Sequence, residues 1–259
     1  MSFPSDFFFG MSTSFYQVEG NNKNSDWWAW EQENGRFSQN QKSGLACDWW
    51  QNAEADLDCA AEMGTNAHRM SLEWSRVEPE PGVFDRGALD RYRQILQAMH
   101  ERGIEPMVTL HHFSNPMWLV EKGDFGSDIV VDYFQRYTAK VVEALGDLVP
   151  KWITLNEPMV YVFMRYFSDD FPAPKQRGMR AGFAAVNHLL QCHAAAYHTI
   201  KAAYPEAQVG VAKNMPVFQA APGSHAISKW WAKRVDWLFN ESWFESMETG
   251  KVKRPFGAG

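Results

Sequence analysis

Cysteine is scarce in this chain: Cys47, Cys59 and Cys192 are the only three among 259 residues. An odd count of widely separated thiols without a CxxC pair points away from a disulfide framework and from a zinc knuckle. Basic residues are the minority charge, 25 Lys and Arg against 31 Asp and Glu, for a net charge of −6. With no basic stripe the chain has no electrostatic footprint for nucleic acid or an anionic membrane surface, and neither is expected as a partner. No apolar run approaches the roughly 20 residues of a bilayer span, and the start MSFPSDFFFGMSTSF lacks the basic flank of a secretory leader. The sequence therefore predicts a cytoplasmic protein. GxGxxG, GxxxxGKS/T and HExxH are all missing, so no cofactor is expected. Aromatics, in contrast, are plentiful at 15%, with 12 Trp. Flat amphipathic rings serve ligands that offer both C–H faces and hydroxyls, as sugars do, although they also fill cores.

Short β-rich runs alternate with helix-period stretches, the pattern of parallel βαβ units. Strands are predicted at Phe7–Met11, Asn66–Leu72, Ile104–Leu110, Trp152–Asn156 and Gln208–Lys213, and helices at Gln51–Met63, Leu89–Glu101, Ile129–Leu145, Ala181–Ala203 and Lys229–Met247. The strands recur about every 50 residues, a pitch at which an eight-stranded barrel would need roughly 400 residues. No sixth strand is visible, and no repeat, low-complexity tract or linker divides the chain, so residues 1–259 read as a single domain.

The strongest local signal is Lys151-Trp152-Ile153-Thr154-Leu155-Asn156-Glu157-Pro158. A β-rich run ends in a carboxylate and then a proline, which stops the ladder and leaves Glu157 at the C-terminal end of the strand. In parallel α/β folds that end is where ligands bind. An ordinary solvated glutamate before a turn is the blander alternative, and spacing alone favours it. His111 and His112 are neighbours on a strand and point to opposite faces, so they cannot chelate one ion together. His188 and Cys192 share a helical face, yet two ligands do not complete a zinc site. No metal is expected.

Four segments, FFFGMSTSFYQVEG, HRMSLEWSRVEP, VTLHHFSNPMWL and WITLNEP, resemble in order and spacing the retaining β-glycosidases of glycoside hydrolase family 1. The resemblance extends over essentially the whole chain, to the tail KVKRPFG. It implies an α/β fold of (β/α)8 TIM-barrel lineage, incomplete here with about the first five β/α units, and hydrolysis of terminal β-linked glycosides. By the same resemblance Glu157 is the general acid/base, kept protonated near neutral pH by a second carboxylate and partial burial. Asn156 matches the residue that hydrogen-bonds the sugar 2-hydroxyl. Gln17 matches a bidentate contact to sugar hydroxyls, and His112 a sugar-contacting imidazole. Arg69 matches the arginine that keeps the nucleophile ionised. Blander alternatives stand beside these: Arg69 as a structural ion-pair partner, Gln17 as a turn residue, Asn156 as satisfying its own backbone.

The chain also departs from the family. Phe113 stands where many members have Trp after the histidine, which alters the wall of the sugar site without removing its aromatic character. The nucleophile's Thr-Glu-Asn-Gly-like segment is missing, since Glu33-Asn34-Gly35 lies between the first two strands with no β-run before it. One carboxylate cannot carry a mechanism that needs two about 5–5.5 Å apart. The expectation is therefore a portion of a longer glycosidase, a truncated gene product or one member of a split barrel. The alternatives are a non-catalytic carbohydrate-binding fragment and a half-barrel that self-associates through its open edge.

Overall fold

The structure, a computed structural model, describes residues 3, 4, 6–33 and 35–253. In chain order the elements are β1 (Gly10–Ser12), α1 (Phe15–Val18), α2 (Asp26–Glu31), α3 (Trp49–Glu62), β2 (Ala67–Ser71), α4 (Trp74–Val77), α5 (Arg86–Glu101), β3 (Glu105–His111), α6 (Met117–Glu121) and α7 (Val130–Leu145). There follow β4 (Lys151–Asn156), α8 (Pro158–Tyr166), α9 (Met179–Ala203), β5 (Gln208–Ala212), α10 (Ala226–Asp236) and α11 (Ser242–Thr249). The five strands form one parallel sheet whose spatial order equals chain order, β1-β2-β3-β4-β5. A doubly wound sheet would reverse direction at a switch point. Sequential order is instead that of a barrel wall. Among the described residues β1 and β5 are the two edges of this wall.

Helix length and placement follow from apolar periodicity. In α5, Leu89, Tyr92, Ile95, Leu96 and Met99 are buried at helical spacing, and Asp85 caps the first turn by accepting from the Ala88 N–H at 3.0 Å. In α7, Phe134, Tyr137, Val141, Val142 and Leu145 play the same part. These faces join Val108, Leu110, Trp152 and Leu155 of the strands in one continuous core. Trp74 lies at its centre, stacked on Tyr137 at 4.8 Å and edge-on to Trp118 and Phe134. Each such buried side chain contributes about 1.5–3 kcal/mol.

Two expectations change. The first strand is Gly10–Ser12 rather than Phe7–Met11. Before Gly10 the side chain of Asn66 takes over the ladder, accepting from the Phe9 N–H at 2.8 Å and donating to the Phe7 carbonyl at 3.0 Å. Phe3, Phe7 and Phe9 pack on one another and stay exposed. The predicted helix Lys229–Met247 is α10 and α11 joined by a wide turn over Trp237–Glu241. There Asn240 donates to the Pro216 carbonyl and to Asp236 Oδ1, both at 2.8 Å. Residues 254–259, which include most of the KVKRPFG tail, lie outside the described residues, as does Asn34. Among the described residues no helix is long and apolar enough to cross a membrane.

Candidate active site

Of the residues singled out in the sequence, Asn156, Glu157, His112 and Phe113 lie at the C-terminal ends of β4 and β3, Arg69 lies within β2 and Gln17 on α1. Glu157 follows β4 directly and is the cap residue of α8, whose first position is Pro158. Its backbone is left-handed (φ 45°, ψ 57°), and its N–H donates to the Ala212 carbonyl at the end of β5 at 2.7 Å. A non-glycine residue in that region carries about 1–3 kcal/mol of strain, which the surrounding structure must hold. Phe113, after β3, is likewise left-handed at φ 73°. The Glu157 carboxylate is partly exposed and has no hydrogen bond to any described residue, so it is open to a ligand. Two cations feel its charge. Burial lowers Arg69 from its ordinary value, opposed by Glu157; burial pulls Lys213 down to about 8, again opposed by Glu157.

Arg69, on β2, spans two strands. Its Nε donates to Thr109 Oγ1 on β3 at 3.0 Å and its Nη2 to Asn156 Oδ1 at the end of β4 at 2.5 Å. Asn156 is buried, and its acceptor is thereby occupied while its amide N–H groups are not. No carboxylate pairs with Arg69 among the described residues. His111 and His112 diverge: His111 packs edge-on to Phe125 and Tyr161 and shares a 3.0 Å hydrogen bond with Asn115 Oδ1, whereas His112 packs against Phe15 and Phe113. Burial, helped by Arg69 and His111, pushes the His112 imidazole down to about 3. It is therefore neutral over the pH range in which proteins work, and its buried Nδ1 has no partner.

Gln17 lies on α1, exposed, with its side chain bonded to no described residue. Its neighbour Phe15 is what ties that turn to His112, at 6.4 Å between rings. The structure thus joins Arg69 to Asn156 directly and His112 to Phe113 directly, and Gln17 has no hydrogen bond to any of them.

Several supporting residues carried no signal in the sequence. Phe113 meets Phe171 at 5.1 Å, and Phe171 meets Trp27 at 4.8 Å, so the loops after β1, β3 and β4 share a line of rings. Beneath α8, Arg165 is fully buried between Asp26 at 2.7 Å and Asp124 at 3.0 Å. Asp26 also accepts from the Asn115 backbone N–H and side-chain amide, and Asn115 donates to Tyr161 Oη at 2.9 Å. This cluster fixes the helix that begins at Glu157 to the loops after β1 and β3. Acidic and basic letters scattered over 140 residues gave no local pattern by which to pair them.

The family model for glycosyl hydrolase family 1 matches residues 1–253. The β-glucosidase A of Thermotoga maritima is 31% identical over 225 residues, which is 85% of this chain and 50% of that protein. The cytosolic β-glucosidase of Cavia porcellus is 32% identical over 82% of this chain and 47% of its own length. Among solved structures, a β-glycosidase from Pyrococcus horikoshii superposes with TM-score 0.88 at 37% identity, covering 98% of this chain and 58% of that one. The Thermotoga maritima β-glucosidase in complex with castanospermine superposes with TM-score 0.89 at 29% identity, covering 97% and 58%. The chain spans about half the length of the curated relatives it matches, and its five parallel β/α units are part of the TIM barrel of those enzymes. By its matched residues and its fold, the chain belongs to glycosyl hydrolase family 1.

Proposed function

We propose that this chain is the acid/base half of a retaining β-glycosidase of β-glucosidase type, acting on terminal β-linked glycosides. The observation that carries the reading is the unpartnered, partly exposed carboxylate of Glu157, held in a left-handed turn at the mouth of the sheet beside Asn156 and Arg69. A carboxyl free of protein hydrogen bonds can give its proton to a glycosidic oxygen and later take one from water. Asn156, with its oxygen bound by Arg69, offers N–H groups to the sugar 2-hydroxyl. Neutral His112 and the Phe113 ring supply a hydrogen-bonding edge and an apolar face, and Gln17 a donor and acceptor on the exposed turn. The nucleophile is a second carboxylate supplied from outside the described residues, and the half-buried guanidinium of Arg69 is its ion-pair partner. The relative from Thermotoga maritima binds castanospermine; an iminosugar of that kind is the expected ligand here, and no metal or organic cofactor is required.

Proton NMR of the product formed from an aryl β-glucoside by the chain together with the segment that carries the nucleophile tests this reading. Initial release of the β-anomer is expected, because two displacements restore the configuration. Initial release of the α-anomer contradicts it.

The two sheet edges favour a second reading, in which the chain self-associates: β5 is only partly covered, and Trp230 and Trp231 of α10 are 52% and 57% exposed. Light scattering separates the readings, since a monodisperse monomer at micromolar concentration removes this one.

A further inference from the structure

Glu73 is fully buried at the C-terminal end of β2, where it caps α4. Its Oε1 accepts from the Ser75 N–H at 3.1 Å and from the Ser75 hydroxyl at 2.7 Å. The same carboxyl reaches across to the loop after β3, where the buried hydroxyl of Ser114 lies 3.4 and 3.3 Å from its two oxygens. Ser114 immediately follows Phe113, whose left-handed backbone needs to be held from both sides. Asn115, pinned by Asp26, holds it beyond Ser114. We propose that Glu73 is a positioning residue for Phe113 and His112, acting through Ser114, and that its grip on the loop depends on whether its carboxyl carries a proton. The consequence for sugar binding rests on the glycosidase reading above; the grip itself does not.

The charges around Glu73 say why. Facing it are Glu19 from the turn after α1, Arg76 of α4, and the hydroxyls of Tyr16 of α1, Tyr92 of α5 and Tyr137 of α7. Arg76 is the sole cation of the group, and it is already engaged with Glu19 at 3.4 Å, with the Gly20 carbonyl and with Asn22. Tyr92 donates to Glu19 at 2.8 Å and accepts from the Glu73 N–H, so its hydroxyl offers nothing to the Glu73 carboxyl. Burial above all, and then Glu19, push Glu73 up to about 8. Neutral, the carboxyl sits comfortably between two serines. Ionised, it is a buried anion without a counter-charge of its own; the serine hydroxyls donate more strongly to the anion, but opening the loop after β3 lets water reach it, and that hydration outweighs the long bonds to Ser114. Release also frees Phe113 from a strained conformation.

Hydrogen exchange by mass spectrometry over the segment from Leu110 to Trp118, corrected for intrinsic rate, tests this at pH 6.5 and 9. Wild-type protection is expected to fall about tenfold or more between the two. Glu73→Gln keeps a neutral, hydrogen-bonding group and is expected to abolish the fall. Equal wild-type protection at both pH values, or an undiminished fall in Glu73→Gln, overturns the proposal. Ser114→Ala gives an independent arm should the glutamine variant fail to fold: its segment is expected to be weakly protected at both pH values, and a fall as large as the wild type's overturns the link. Loss of iminosugar binding with the pH response intact counts against the glycosidase reading alone.

Discussion

The guanidinium of Arg69 on β2 reaches over β3 to hold Asn156 Oδ1 on β4 at 2.5 Å, with Thr109 as its intermediate support at 3.0 Å. This fork fixes which end of the Asn156 amide faces a ligand. It requires two donors in a rigid plane, which lysine lacks. Arg69→Lys is therefore expected to weaken iminosugar binding about 10–100-fold through loss of one or two charge-assisted hydrogen bonds. Titration calorimetry on the two proteins checks it, and unchanged affinity would count against Asn156 being oriented by Arg69.

The ion cluster under α8 makes a prediction about stability. Arg165→Met keeps most of the volume and strands Asp26 and Asp124 together without their cation. Removing one partner of a buried charge set costs about 3–5 kcal/mol. Urea unfolding is expected to show a loss of that size, and a loss below about 1 kcal/mol would count against the cluster as a buried charge set.

Phe113 separates a backbone from a side-chain effect. Phe113→Gly relieves about 1 kcal/mol of left-handed strain and removes the ring, whereas Phe113→Ala removes the ring and keeps the strain. Both are expected to lose iminosugar affinity with the apolar face of the ring, and about 0.5–1.5 kcal/mol of stability for each lost ring contact with His112 and Phe171. The glycine variant is expected to be the more stable of the two in thermal unfolding.

The buried titratable groups predict a stability optimum in pH. His68, His111 and His193 are pushed down to about 4 and His112 to about 3 by burial, so the unfolded chain binds more protons and stability rises as pH climbs from about 4 to 6.5. Glu19 and Glu73 are pushed up to about 7 and about 8 by burial, so the native state binds more protons and stability falls as pH rises through those values. Below 6.5 the four histidines outweigh the two carboxyls, between 6.5 and 8 the carboxyls act, and above 8 Lys213, which burial pulls down to about 8, turns the slope upward again. Urea midpoints are expected to peak near pH 6.5 and to decline towards pH 8; a steady rise from pH 6 to 9 would refute the assignment.

Periodicity made much of the fold legible. Four of the five strands lie within a residue or two of their expected limits, because Val108, Leu110, Trp152 and Leu155 form compact apolar runs between helices with an obvious buried stripe. The first strand was displaced because an apolar run looks like a strand whether its ladder partner is backbone or, as at Asn66, a side chain. The short helices α1, α2, α4, α6 and α8 escaped notice because four to nine residues are too few for a period to emerge. At the site, Glu157 was visible at a strand end, but spacing alone favoured an ordinary glutamate, and it was the resemblance of WITLNEP to the family that singled out Glu157 and Asn156. Glu73, Asp124 and Arg165 did not stand out, because their meaning lies in partners 41 positions away in the chain.

The central claim is that Glu157 transfers a proton to the departing aglycone. It is tested most directly by the single-turnover rate of aglycone release from two β-glucosides, one with an alkyl leaving group and one with 2,4-dinitrophenolate, in the wild type and Glu157→Gln, each assayed together with the segment that carries the nucleophile. A leaving group that needs a proton should lose the full worth of general acid catalysis, about 10²–10⁴-fold, while one that departs unaided should lose less than about tenfold. Equal losses on both substrates, or no loss on the alkyl glucoside, would contradict the assignment.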